Sequence, residues 1–98
     1  MPFGYVVPHV DVTDPAAFEK YSSQGPQVTE EFGGQYLARG GEQMGLEGPE
    51  PLGDRTVIIR FATYARAVEW YNSNQYAELI KLRKAGSNAT LMVVEGVE

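Results

Sequence analysis

The sequence predicts an α+β fold, in which one antiparallel sheet carries helical segments on one of its faces. Three observations carry the prediction. The hydrophobic period switches repeatedly between two residues and the longer period of a helix. Glycine and proline cluster at the switches. A chain of 98 residues has room for a single hydrophobic core, so it is expected to form one domain of helices packed on one sheet, without a second catalytic domain.

The first strand lies in "GYVVPHVDV". Val6, Val10 and Val12 fall on one face with Pro8, and Tyr5, Val7, His9 and Asp11 fall on the other. Pro8 cannot donate to a ladder, so its position is expected to face a gap or an edge. The segment "VTDPAAFEKYSSQGPQVTEEFGG" is helical, with Thr13 or Asp14 as the cap and Pro15 at the first position. Phe18, Tyr21, Val28 and Phe32 recur at helical spacing, and Gly33 and Gly34 end the run. Gly25 and Pro26 lie inside it. A straight helix would pay roughly 3 kcal/mol for the proline, so a kink or break is expected there.

The second strand, "QYLARGGEQ", sets Tyr36 and Ala38 on one face and Gln35, Leu37 and Arg39 on the other. Gly40 and Gly41 suit a bulge or a positive φ. The region 42–55, with "MGLEGPEPLGD", has no period and reads as a long exposed hairpin loop. The third strand is "TVIIRFAT". Thr63 caps the helix "YARAVEWYN", Ser73 or Asn74 caps "QYAELIKLRKAG", which ends at Gly86, and "ATLMVVEG" closes the sheet. Val68, Tyr71, Leu79 and Ile80 have the spacing of the buried helical stripe, with Trp70 beside it at a cavity mouth.

Strand, helix, strand, strand, helix, strand is the βαββαβ order of the ferredoxin-like fold. Both helical segments then cover one sheet face. The other face would carry Tyr5, Val7, His9 and Asp11 with Leu37, Arg39, Ile58 and Arg60, too apolar for open water and too polar for a dry core. A twofold copy of the chain would cover it, which predicts a homodimer with a partly enclosed space between the two sheets.

Composition narrows the function. With 43% hydrophobic and 21% charged residues the chain is an ordinary globular sequence. Its formal charge of -5 disfavours phosphate backbones and acidic membrane leaflets, so neither nucleic acid nor membrane is an expected partner. There is no cysteine, which removes thiolate chemistry and cysteine-held metals. "MPFGYVVPHV" has no basic segment followed by an apolar run, and a cytoplasmic location is the expectation.

The segments "YVVPHVDVTDPAAFEKY", "YLARGG", "VIIRF", "AVEWYNSNQYAEL" and "VVEG", in this order, resemble the family called domain of unknown function 1330, DUF1330, within the dimeric α/β-barrel superfamily. The resemblance spans nearly the whole chain and implies a ferredoxin-like subunit that pairs face to face into a barrel. It implies no particular reaction, since relatives in the superfamily range from cofactor-free monooxygenases and lactone isomerases to haem-dependent enzymes. Arg39 and the segment Trp70 to Ser73 match the family's pattern. Arg60 departs from it, standing where an acidic residue is common.

Two readings of the polar residues follow. In one, Arg39, Arg60 and His9 on neighbouring strands attract a small anionic ligand, a carboxylate held by a guanidinium, with Tyr5 stacking or donating and Trp70 closing the pocket. In the other, Arg60 pairs with Asp11, Glu95 or an acid of the second subunit, and His9 is a polar interface residue. His9 is the one candidate base, and Asp11 is placed to orient it only indirectly. No ligand spacing supports a metal, and no motif implies a cofactor. Two functions remain: a protein that binds or transforms an acidic or aromatic metabolite between sheet and symmetry mate, and a non-catalytic interaction module with a filled barrel whose long loop meets a protein partner.

Overall fold

The structure, a computed structural model, describes residues 1–50 and 53–98. Among the described residues the order is β1 (Gly4–Val6), β2 (His9–Val12), α1 (Pro15–Ser22), α2 (Gly25–Glu31), β3 (Gln35–Arg39), β4 (Arg55–Phe61), α3 (Tyr64–Tyr71), α4 (Asn74–Gly86), β5 (Ser87–Thr90) and β6 (Val93–Glu95). This is the ferredoxin-like α+β fold. The β1–β2 pair runs between the β5–β6 pair and β4, β3 lies outside β4, and every pairing is antiparallel. Among the described residues no helix is long and apolar enough to cross a membrane.

Pro8 splits the first strand without shifting it. Val6 pairs with Ile59 and His9 with Thr56, so both sides advance by the same number of residues across the gap. The Pro8 carbonyl accepts the Val57 N–H at 3.0 Å, and the proline has no N–H to return. The first strand is therefore central, and of the two expected positions for Pro8 the gap is the one found. The last strand is split in the same way at Leu91 and Met92, again with register kept.

The side chains of Asp14, Thr63 and Ser73 cap α1, α3 and α4 by accepting the N–H groups of Ala17, Arg66 and Tyr76 at 3.2, 3.0 and 3.1 Å. Such caps contribute about 1 kcal/mol each. The first helical segment breaks between Ser22 and Gly25. In a continuous helix the carbonyl of Ser22 would accept from residue 26, which is proline and has nothing to donate. That carbonyl is left free for another donor.

The core lies between the helices and one sheet face. Val6, Ile59 and Phe61 from the sheet meet Ala67, Trp70, Tyr76 and Leu79 from α3 and α4. The Trp70 ring stands 4.2 Å from the Tyr76 ring and 5.3 Å from the Phe61 ring, centroid to centroid. This corrects the expected stripe: Trp70 is buried and Tyr71 is exposed. With only eight residues in α3, the face that meets the sheet is decided by Ala67 and Trp70, one turn apart, whose small and large side chains interlock with the ring of Phe61.

Candidate functional site

The face away from the helices collects Tyr5, Val7, His9, Ile58 and Arg60, as the alternation of β1, β2 and β4 predicts. Leu37, Met92 and Val94 are exposed beside them at 47%, 58% and 45%, and the apolar surface continues across the sheet. Arg60 has neither of the expected intramolecular carboxylate partners. Its Nη2 donates to Gln35 Oε1 at 2.6 Å, and the guanidinium lies 4.6 Å from the Phe3 ring centre, so an amide and an aromatic ring hold the cation.

His9 contacts Thr56 instead of Asp11, with Nδ1 3.2 Å from Oγ1. The Thr56 hydroxyl donates onward to Gln43 Oε1 at 2.5 Å. The hydroxyl thus accepts from Nδ1–H, and Nε2 makes no hydrogen bond among the described residues. Tyr5 packs edge-on to Phe3, 6.4 Å between ring centres. Among the described residues, no three His, Cys, Asp or Glu side chains are grouped to hold a metal ion.

Arg39 is elsewhere. The β3–β4 register runs Gln35 with Arg60 and Tyr36 with Ile59, then Ala38 with Ile58 and Arg39 with Val57. Leu37 is the extra residue of a β-bulge, and each residue after it changes face. Arg39 therefore shares the helix side with Val57 and Ile59, not the open side with Arg60. There Arg39 Nη2 donates 2.7 Å to the carbonyl of Ser22 that Pro26 left free, and its guanidinium lies 4.9 Å from the Tyr36 ring centre. The expected grouping of Arg39, Arg60 and His9 is taken apart by one inserted residue.

Two other arginines meet Arg39 on that side. Arg55 pairs with Val10 across the sheet, on the face that holds Ile59 and Phe61, and lies 5.3 Å from the Phe18 ring centre. Arg83 projects from α4, is 4% exposed, and donates from Nη1 to the Tyr76 hydroxyl at 3.2 Å. Arg39, Arg55 and Arg83 line a cavity of about 40 Å³ beneath α1 together with Tyr21 and Tyr36. Neither Arg55 nor Arg83 figured among the expected site residues. Both were findable: Arg55 continues the inward parity of Val57, Ile59 and Phe61, and Arg83 continues the helical spacing of Tyr76 and Leu79.

The Tyr76 hydroxyl is also 2.7 Å from that of Tyr21. Burial raises the pKa of both phenols above the ordinary 10.0, and Arg83 opposes the rise only in part. Both are neutral hydrogen-bonding groups at physiological pH.

A larger cleft of about 430 Å³ opens between α3, α4 and the β5–β6 pair. Ala67, Val68, Trp70, Leu91 and Val93 form its apolar walls, and Arg83 and Lys84 supply positive charge. Trp70 Nε1 and Arg83 Nε are buried without a hydrogen-bond partner among the described residues. Trp70 thus has a wall of this cleft and the centre of the core at once.

The model of the family described as a domain of unknown function, DUF1330, matches residues 3–97. No curated protein matches the chain. Among solved structures, RPA0582, a protein of unknown function from Rhodopseudomonas palustris, is 20% identical with a TM-score of 0.79, over 99% of this chain and 84% of that one. SnoaB, a cofactor-independent oxygenase from Streptomyces nogalater, is 11% identical with a TM-score of 0.70, over 100% and 96%. An antibiotic biosynthesis monooxygenase is 13% identical with a TM-score of 0.52, over 97% and 99%. All three likenesses are of fold. The chain belongs to the DUF1330 family.

Proposed function

We propose that this protein binds a small organic molecule in the cleft between α3, α4 and the sheet, and that two copies pair through their open sheet faces. The observation that carries the first part is the cleft itself. Its volume of about 430 Å³ falls in the range of roughly 300–1,000 Å³ usual for small-molecule sites. Its walls are apolar, and a buried donor of the wall residue Trp70, Nε1, has no protein acceptor among the described residues. Leaving a buried donor unpaired costs about 1–3 kcal/mol, and a planar acceptor-bearing ligand would offset that. SnoaB shows that this fold can carry an oxygenase, which supports a catalytic variant of the reading without identifying a substrate.

The pairing rests on Leu37, Met92 and Val94, exposed on one sheet face beside Tyr5, Val7 and Ile58. A second reading, an interaction module, is favoured by Met44 and Leu46, 79% and 88% exposed between β3 and β4.

Trp70 is the single tryptophan, so its fluorescence reports on the cleft directly. Titration with a panel of planar aromatic acids and quinones is expected to change the emission saturably, and Val68→Phe, which narrows the cleft, is expected to weaken the response at least tenfold. If no compound alters the emission, or the variant responds as the parent does, the cleft is not a ligand site. For the pairing, light scattering should give twice the 10.8 kDa chain mass, and Val94→Lys should halve it.

A further inference from the structure

We propose that the small cavity beneath α1 is an oxyanion site that takes the carboxylate of a small organic acid, held by Arg39, Arg55 and Arg83. This goes beyond the cleft reading and stands apart from it, since the cavities share only Arg83 and Leu91 among their walls.

The charge distribution makes the case. Acidic residues outnumber basic ones, 13 to 8, in the whole chain, yet three of its five arginines line this one cavity and, among the described residues, no Asp or Glu does. Among the described residues the ion pairs are Arg66 with Glu69 and Lys81 with Glu78, and none involves these three arginines. Like charges around one void raise the energy of the folded chain until an anion enters. The deepest of the three is also the least satisfied. Arg83 is 4% exposed, its Nη1 finds the neutral Tyr76 hydroxyl, and its Nε finds nothing among the described residues. A buried guanidinium ordinarily has a carboxylate partner.

The other two are held in place by groups that leave most of their donors unused. Arg39 is fixed by a single bond to Ser22 and by the Tyr36 ring, and Arg55 by the Phe18 ring. Each guanidinium has five N–H donors in a planar fork that matches the two oxygens of a carboxylate. Size selects the ligand. A cavity of about 40 Å³, at about 10–15 Å³ for one water, has room for the carboxylate group, with the rest of the acid toward the exposed Arg39. A tetrahedral phosphate is larger. Arg39 is exposed, so the cavity is reached from its side, and the opposite sheet face can be covered without closing it.

The test is thermal unfolding of the full chain with acetate and malonate against chloride at matched ionic strength, and with inorganic phosphate as comparator. The carboxylates are expected to raise Tm by about 5 °C or more at ten times their Kd. Arg55→Gln should abolish the shift and Arg39→Gln should weaken it at least tenfold, whereas Arg60→Gln on the other face should keep it. In the wild-type chain, the Arg83 Nε–H resonance should move with acetate concentration. No shift beyond chloride, an equal response in Arg55→Gln and wild type, or stabilisation by phosphate alone would each overturn the proposal. Because the readout is independent of Trp70 emission, failure here leaves the cleft standing, and failure at the cleft leaves this site standing.

Discussion

Replacing Gly86 by alanine sets two physical effects against each other. Alanine exceeds glycine in helix propensity by about 1 kcal/mol in a helix interior, so propensity alone predicts a gain from the change. Packing predicts the reverse. A Cβ at Gly86 would stand 2.4 Å from the backbone nitrogen of Phe18, 2.8 Å from its Cα and 3.0 Å from the carbonyl carbon of Ala17. Ordinary contact begins near 3.4 Å, so α1 would have to withdraw from α4 by about 1 Å. It is not free to do so. The carbonyl of Gly86 accepts the N–H groups of Thr13 and Asp14 at 2.9 and 3.1 Å, tying down the start of α1. Withdrawal stretches both bonds, at about 0.5–1.5 kcal/mol each, and staying costs about 1–3 kcal/mol of overpacking. Net destabilisation of roughly 2–3 kcal/mol is expected, which lowers Tm by on the order of 10–20 °C for a domain of this size. Urea and thermal denaturation followed by Trp70 emission measure it. A midpoint equal to or above that of the parent would refute the packing argument and show that propensity governs this end of α4.

Three further changes probe the same region. Tyr76→Phe removes the hydroxyl that joins Tyr21 to Arg83 and is expected to cost about 1–3 kcal/mol, read from urea midpoints. Both phenols have a folded pKa above 10.0, so the stability they contribute is complete below pH 10 and is lost above it, where the unfolded chain releases protons first. Stability should fall there by up to about 1.4 kcal/mol per pH unit for each phenol, and Tyr76→Phe should remove one such contribution; an unchanged slope would show that these hydroxyls are not the groups responsible. Arg83→Met keeps the volume and removes a buried cation without a carboxylate, so the unfolding midpoint should hold or rise; a marked fall would mean the guanidinium is already compensated. Thr63→Ala deletes the cap on Arg66 N–H and should lower stability by about 1 kcal/mol, measurable by the same titration.

Much of the architecture could be read from the chain. The alternation through Pro8 survives because the proline interrupts the ladder without slipping it, so parity on either side stays valid. Asp14, Thr63 and Ser73 each stand where a side-chain acceptor is needed, and Gly25–Pro26 marks the break between α1 and α2. The site was less legible, for a local reason. The bulge at Leu37 uses no glycine and no positive φ, so nothing in "QYLAR" announces it, and parity carried through it puts Arg39 on the wrong face. Gly40, with φ of 76°, lies after the bulge. Arg55 and Arg83 had readable parity. A cation near an element's end, however, looks like a solvated terminus until the neighbouring elements are known to close over it.

The bulge also has a consequence for how chains of this architecture diverge. Among the described residues strand β3 pairs with β4 alone, so a one-residue slip of its pairing after Tyr36 re-sorts the side chains that follow while the remaining strands keep their partners. Pairing Leu37 with Ile58, as a ladder without the bulge would, sets Arg39 opposite Thr56 on the side of Arg60 and dismantles the trio beneath α1, whereas loss of Leu37 would close the bulge and leave Arg39 opposite Val57. Charge can thus be moved from one side of the sheet to the other without altering a single arginine codon.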